Sequence, residues 1–331
     1  MNPFISVIVP VYNVQQFIEC TAHHLFQQDL KEIEYIFVDD CSPDNSILLL
    51  HAVLEQYPER QAYTTIIRHE QNKGLPAARN TGLQRATGQF IFHCDGDDWI
   101  EKDALSKLYT KASHDGSDVV WCDWYLSFKD TERYMSQAPE QSDILTGRQC
   151  VELMLGGKLR FNVWNKLVKR SLYEQAGIRF PEGYPMGEDM TMIQVLAMAF
   201  KVSYLPQALY HYVQINTEAY TKKKNDQHLK QIRHNVDQTI AFLRQHYGAS
   251  MDQHIQFFKL NTKLPFLISS DTQSYQHWLE WYPEANPYIG QNPMFNMRIR
   301  LIQYAALKKQ YWLLRLYYGV IIKMVYGVIY R

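Results

Sequence analysis

Over its first 124 residues the chain repeats one pattern: a short β-branched or aromatic run, a helix-length segment, then another run. FISVIV at 4–9 is a β-branched run that carries no charge and stops at Pro10, as expected of a strand buried on both faces. A helix is predicted over 15–28, then a strand at 34–38 (EYIFV) that runs into Asp39-Asp40. A second helix at about 45–56 precedes a strand at 64–69 (TTIIRH). Gly74 opens a helix from Leu75 to about Ala86, and Gly88 leads into a strand at 89–93. A helix at about 102–113 and a strand at 118–124 complete the series. Such alternation predicts a mostly parallel α/β sheet whose ligand crevice lies at the carboxyl ends of the strands.

Those ends are polar. The first strand ends in Pro10-Val11-Tyr12-Asn13, the second in Asp39-Asp40-Cys41-Ser42, and the third near His69 to Gly74. The fourth, FIFHCDGDDW at 90–99, puts Asp95, Asp97 and Asp98 within four positions. Crowded carboxylates repel one another, and a hard divalent cation, Mg²⁺ or Mn²⁺, converts that repulsion into attraction. Asp95 and Asp97 are the expected ligands, with Gly96 allowing the backbone close to a bound molecule. Asp98 and Asp103 are assigned instead to capping of the following helix. Beyond 130 the pattern is less regular, with Gly156-Gly157 and Pro181 to Gly187 as loop markers. A helix is predicted over 188–200, with Met192, Ile193, Leu196, Ala199 and Phe200 on its apolar face, and another over 225–247.

Four segments in order across roughly 190 residues carry a family resemblance: SVIVPVYNV, FVDDCSPDNS, QNKGLPAARNTGLQRATGQFIFHCDGDDW and MGEDM. The chain resembles the family-2 inverting glycosyltransferases, nucleotide-sugar enzymes of the GT-A fold. Cys41 stands where that family commonly has glycine. The resemblance implies that Pro10 and Tyr12 lie at the nucleotide, Tyr12 against its base. It implies that Asp39 accepts from a uracil imide, with Asp40 the lesser choice. Asn72 and Arg79 would position the nucleotide or its diphosphate, Asp95 would bind ribose and help hold the metal, and Asp97 would be the main metal ligand. Asp189 is the expected general base, with Glu188 second and helix capping as the ordinary alternative for both. His211 is a weaker candidate for a third metal ligand, a structural role being the more usual. An arginine that the family often carries is absent near Val213. Lys222, Lys223 and Lys224 could close over the diphosphate or be a solvated run, and Trp164 is either an acceptor platform or core.

On this reading residues 1–99 form the nucleotide-sugar half, 100–215 the acceptor half, and 216–331 a helical C-terminal extension. An inactive nucleotide- or glycan-binding module is disfavoured because Asp39, Asp95, Asp97 and Asp189 are all present. A sugar nucleotidyltransferase is disfavoured because the turn after the first strand is neither basic nor glycine-rich. Thirty-four basic residues balance 34 acidic ones, so no nucleic-acid partner is expected.

The distribution of charge is less even. After Glu284 there is no acidic residue, yet Arg298, Arg300, Lys308, Lys309, Arg315, Lys323 and Arg331 follow. On a helical wheel Lys308, Lys309, Arg315 and Lys323 share an arc of about 120°, opposite Leu313, Leu314, Tyr317, Ile321, Met324 and Val328. This predicts an in-plane helix on an anionic membrane surface, suited to a polyprenyl-diphosphate-linked glycan acceptor. Five cysteines without a CxxC motif suggest small core residues in a reducing compartment. With no secretory signal and no membrane-spanning run in view, a cytoplasmic protein at the inner face of the membrane is expected.

Overall fold

The computed structural model describes residues 3–140, 142–216 and 226–329. Two compact units emerge: residues 1–150 with 161–239, and residues 151–160 with 240–331. The first is built on a ten-stranded sheet.

Its strands are β1 (Ile5–Val11), β2 (Ile33–Asp39), β3 (Thr64–Arg68), β4 (Phe90–His93), β5 (Trp99–Ile100), β6 (Val119–Ser127), β7 (Glu132–Met135), β8 (Ile144–Leu145), β9 (Lys166–Lys169) and β10 (Val202–Val213). The order is β3-β2-β1-β4-β9-β6-β10-β5, with β7 on β6 and β8 on β10. β1 pairs in parallel with β2 and β4, β2 with β3, and β6 with β10. β9 runs antiparallel to both β4 and β6, which makes the sheet mixed at its centre.

In register, Val11 faces Asp39 and Ile8 faces His93, so the carboxyl ends of β1, β2 and β4 lie side by side. The expected α/β sheet with polar strand ends is therefore present. Helices α1 (Ile18–Phe26), α2 (Ser46–Leu54), α3 (Pro58–Gln61), α4 (Leu75–Arg85) and α5 (Ala104–Asp115) alternate with these strands. Ile5, Val7, Ile8 and Val9 of β1 are completely buried, each such side chain contributing about 1.5–3 kcal/mol. Cys94, Cys122 and Cys150 are likewise core residues, whereas Cys20 is exposed.

Helices α6 (Gly147–Gly156), α7 (Arg170–Gln175) and α8 (Thr191–Met198) follow, and α9 (Asp226–Tyr247) begins the helical remainder. The predicted 188–200 helix starts with a 3-10 turn over Glu188–Met190 and ends at Met198. Phe200 lies beyond it and is exposed, not on a buried face. The second unit contains α10 (Asp252–Lys263), α11 (Thr272–Glu280), α12 (Met297–Leu307) and α13 (Tyr311–Tyr317). Lys309 takes a positive φ of 53° where α12 gives way to α13. Leu314, placed by the helical wheel on the membrane side, is completely buried. Leu314 therefore packs on the protein itself. No helix among the described residues is long and apolar enough to cross a membrane.

Candidate active site

The paired acids at the end of β2 part company. The Asp39 carboxylate is buried, accepting from the Ser42 N–H at 2.7 Å and pairing with the Arg68 Nε at 3.3 Å. Asp40 faces the other way. It meets the His69 Nδ1 at 2.7 Å and accepts the backbone N–H groups of Lys73 (2.8 Å) and Gly74 (2.7 Å). Asp40 thereby shapes the loop that carries the exposed Asn72 into α4. Cys41 between this pair and Ser42 has a φ of 58°, the left-handed region that glycine fills without strain. Tyr12, at the end of β1, is half exposed at this same rim. The Asn13 N–H donates to the Ser42 Oγ at 2.8 Å, joining the ends of β1 and β2.

At the end of β4, Gly96 sits against β1. A Cβ there would lie 2.9 Å from the Pro10 carbonyl oxygen and 3.3 Å from the Val14 Cγ2. The glycine is thus required by the protein's own backbone, a different reason from the ligand approach anticipated. Asp97 Oδ2 accepts from the Asn216 Nδ2 at 2.7 Å. Asp98 is no helix cap: it is buried, accepting from the Tyr210 hydroxyl at 2.7 Å and the Val213 N–H at 2.8 Å. Asp103 is the residue before α5, but its carboxylate pairs with Lys107 at 2.7 Å and makes no capping bond.

Burial, then the charges of Asp97 and Asp95, push the Asp98 carboxyl well above its ordinary range. Burial and the same group of acids raise Cys94 and Tyr210 as well. Asp95 and Asp97 are thus close enough to act on these buried groups. Two half-buried carboxylates flanking Gly96 fit a hard cation with oxygen ligands. No group of three or more His, Cys, Asp or Glu side chains arranged for a metal occurs among the described residues.

Arg79 explains how distant segments meet. Its side chain is 2% exposed. One terminal nitrogen, Nη2, donates to the Asp95 Oδ1 at 2.7 Å, and the other, Nη1, lies 3.3 Å from the Glu188 Oε1. The guanidinium rests over the Phe180 ring, 5.4 Å from its centroid. Next to it, Asn80 Nδ2 donates to the Phe180 carbonyl at 2.9 Å, and Asn80 Oδ1 accepts the Phe180 N–H at the same distance. The Arg-Asn dipeptide in α4 thus grips the 180–188 segment with both side chains.

Asp189 follows Glu188 in the 3-10 turn and is half-buried. Burial pushes its carboxyl up to about 6, against the lowering pull of Arg79, backbone N–H groups and Lys166. Burial raises Glu188 further, to about 8, despite Arg79. Lys166 is buried, donates to the Asn162 carbonyl at 2.6 Å and the Asn165 Oδ1 at 2.8 Å, and is lowered to about 7 by burial.

His211 sits on β10, between β5 and β6. Its ring stacks on Trp99 (3.3 Å between centroids) and Tyr125, with Nδ1 2.7 Å from Glu132 and Nε2 3.1 Å from Glu101. Each ring nitrogen thus has a carboxylate partner. Trp164 is buried and stacked on Tyr210 at 4.4 Å, a core residue. Lys222, Lys223 and Lys224 lie outside the described residues.

The residues overlooked in the sequence are Asn80, Phe180, Tyr210 and Asn216. Asn80 was within reach, since it adjoins Arg79 in a quoted motif. The others are ordinary residue types whose partners lie far along the chain.

The model of the family described as Glycosyl transferase family 2 matches residues 6–181. The chain belongs to this family. It is a glycosyltransferase of the GT-A fold, and its helical C-terminal region is as expected. This glycosyltransferase is 33% identical over 279 residues to the uncharacterized glycosyltransferase EpsJ of Bacillus subtilis (strain 168), covering 82% of this chain and 78% of that one. Its fold is similar to that of S. aureus TarS 1-349 in complex with UDP-GlcNAc, with a TM-score of 0.70 at 20% identity, over 95% of this chain and 91% of that one. A mannosyltransferase, PcManGT from Pyrobaculum calidifontis in complex with GDP-Man and Mn²⁺, matches at a TM-score of 0.50 and 17% identity, over 94% and 88% of the two chains.

Proposed function

We propose that this glycosyltransferase moves a sugar, with inversion, from a UDP-sugar to a hydroxyl of a lipid-linked glycan during surface polysaccharide assembly. The Arg79 bridge carries this reading: one buried guanidinium holds Asp95 on the donor side and Glu188, next to Asp189, on the other. TarS in complex with UDP-GlcNAc supports a uridine donor, and PcManGT with Mn²⁺ supports a divalent cation.

Tyr12 and Pro10 border the base, and Asp39 accepts its imide N–H. Asn72 meets the diphosphate from its exposed loop. Asp95 and Asp97 would hold Mn²⁺ or Mg²⁺, which when bound offsets the negative charge of the departing diphosphate. Asp95 also contacts the ribose. Arg79, expected from its motif to position the nucleotide or its diphosphate, does so through Asp95 and Glu188.

Asp189 takes the proton from the acceptor hydroxyl as that oxygen bonds to the anomeric carbon. The bond from that carbon to the diphosphate oxygen breaks on the opposite face, giving inversion. In this scheme residues 1–99 serve the donor, 100–215 the acceptor, and 216–331 carry the enzyme to the inner face of the membrane.

A panel of nucleotide-sugars, scored by release of nucleoside diphosphate with and without Mn²⁺, tests the reading. UDP-sugars are expected to turn over in the presence of metal. Asp189→Asn is expected to lower kcat by about 10²–10⁴ with little change in donor KM. Preference for GDP-sugars, or full turnover by Asp189→Asn, would refute the assignment concerned.

A further inference from the structure

The catalytic scheme makes no use of an apolar stripe on the last helices of the second unit. α12 sets Met297, Leu301 and Tyr304 at i, i+4 and i+7, with Met297 70% and Leu301 60% exposed. α13 and its π-helical continuation (Tyr318–Ile329) carry Trp312, Leu316 and Val320 at i, i+4 and i+8, and Trp312 is 64% exposed. Each stripe runs on to an exposed lysine, Lys308 after Tyr304 and Lys323 after Val320. Arg298, Lys309 and Arg315 are exposed along the same helices. The opposite sides are already committed, since Ile302, Ala305, Ala306 and Leu314 are buried.

Scattered exposed apolar residues need no explanation, but six along two successive helices, with five exposed cations on the same helices and the turn between them, do. Trp312 and Tyr304 suit the boundary between head groups and acyl chains, where an aromatic body meets a polar tip. With no acidic residue after Glu284, nothing in this segment opposes an anionic lipid surface. A second copy of the chain fits less well. A twofold contact through this face would bring Lys308, Lys309, Arg315 and Lys323 toward their own like charges.

We propose that the face bearing Met297, Leu301, Tyr304, Trp312, Leu316 and Val320 is the contact with an anionic bilayer. It is not the arc containing Leu313 and Leu314. The lipid-linked acceptor of the proposed function supplies the purpose of this contact, whereas its geometry rests on these helices alone.

Flotation of the full chain with vesicles of phosphatidylcholine plus phosphatidylglycerol, against phosphatidylcholine alone, tests the proposal. The parent is expected to float with the mixed vesicles only. Trp312→Ser with Leu316→Ser, and separately Lys308→Gln with Lys309→Gln, are each expected to weaken binding by about tenfold or more. Phe200→Ser, at an exposed apolar residue of the first unit, is the control and should bind like the parent. Circular dichroism melts of all variants should match the parent, because the altered side chains are exposed.

Equal flotation of the parent and both double variants would overturn the proposal, as would absence of flotation by the parent. A parent dimer that these substitutions convert to monomer, without vesicle binding, would assign the face to self-association instead. Donor turnover in the same preparations separates the two readings. Turnover without vesicle binding defeats only the surface, and vesicle binding without turnover defeats only the catalytic role.

Discussion

Arg79 and Glu188 lie 109 positions apart in sequence, yet a buried guanidinium and a buried carboxylate meet at 3.3 Å, with Asp95 on the second arm of the same arginine. Removing the arginine leaves Glu188 with burial and no opposing charge. Arg79→Ala is therefore expected to destabilise the first unit by about 3 kcal/mol and to abolish most turnover. Arg79→Lys retains a charge but lacks the planar fork needed for both carboxylates. Its turnover should stay low even where stability partly returns. Urea denaturation alongside donor turnover distinguishes these outcomes, and wild-type kcat in Arg79→Lys would contradict the bridging role.

The pH dependence follows from Asp189. Burial raises this carboxyl, so it stays protonated to a higher pH than an ordinary aspartate, and a base must be ionised to work. Activity should be fully present well above pH 6, and kcat/KM should fall about tenfold per unit as pH drops below about 6. A profile flat down to pH 4.5 would remove Asp189 from the role.

Gly96 has no room for a methyl group, because the Pro10 carbonyl and Val14 already occupy the space. Gly96→Ala should cost about 1–3 kcal/mol and displace the Asp95–Asp97 loop from the end of β1. The expected signature is a lower urea midpoint together with a raised donor KM. An unchanged midpoint would show that the loop yields freely.

Cys41 offers the opposite opportunity. Its φ of 58° strains any residue with a Cβ, by about 1–2 kcal/mol. Cys41→Gly should relieve part of that strain and raise the thermal midpoint by about 2 °C. A midpoint that falls would mean that the thiol contributes more contact than the backbone loses.

The strands β1, β2 and β4 were legible because residues buried on both faces are mostly apolar, and FISVIV, EYIFV and FIFH are dominated by β-branched and aromatic residues. Asp39, Asp95 and Asp97 were legible as strand-end acids. Their division of labour with Asp40 and Asp98 was not, since hydrogen-bond partners such as Tyr210 and the Lys73 N–H are fixed only by the folded chain. The helical wheel took 308–328 as one helix, whereas Lys308 and Lys309 fall in the break before α13, and it could not say which apolar arc would meet protein. Both sides of α13 are apolar enough to be buried, and Leu314 rather than Trp312 found the core.

The divergence of Asp39 and Asp40 sets a rule for anyone who would redesign donor preference. Adjacent acids invite treatment as a pair, but Asp40 is mortar in the loop from His69 to Gly74, whereas Asp39 stands at the rim with the long side chain of Arg68 beside it. Altering Asp39 touches the turn at Ser42 and the Arg68 pair, whereas altering Asp40 unties His69, Lys73 and Gly74 together.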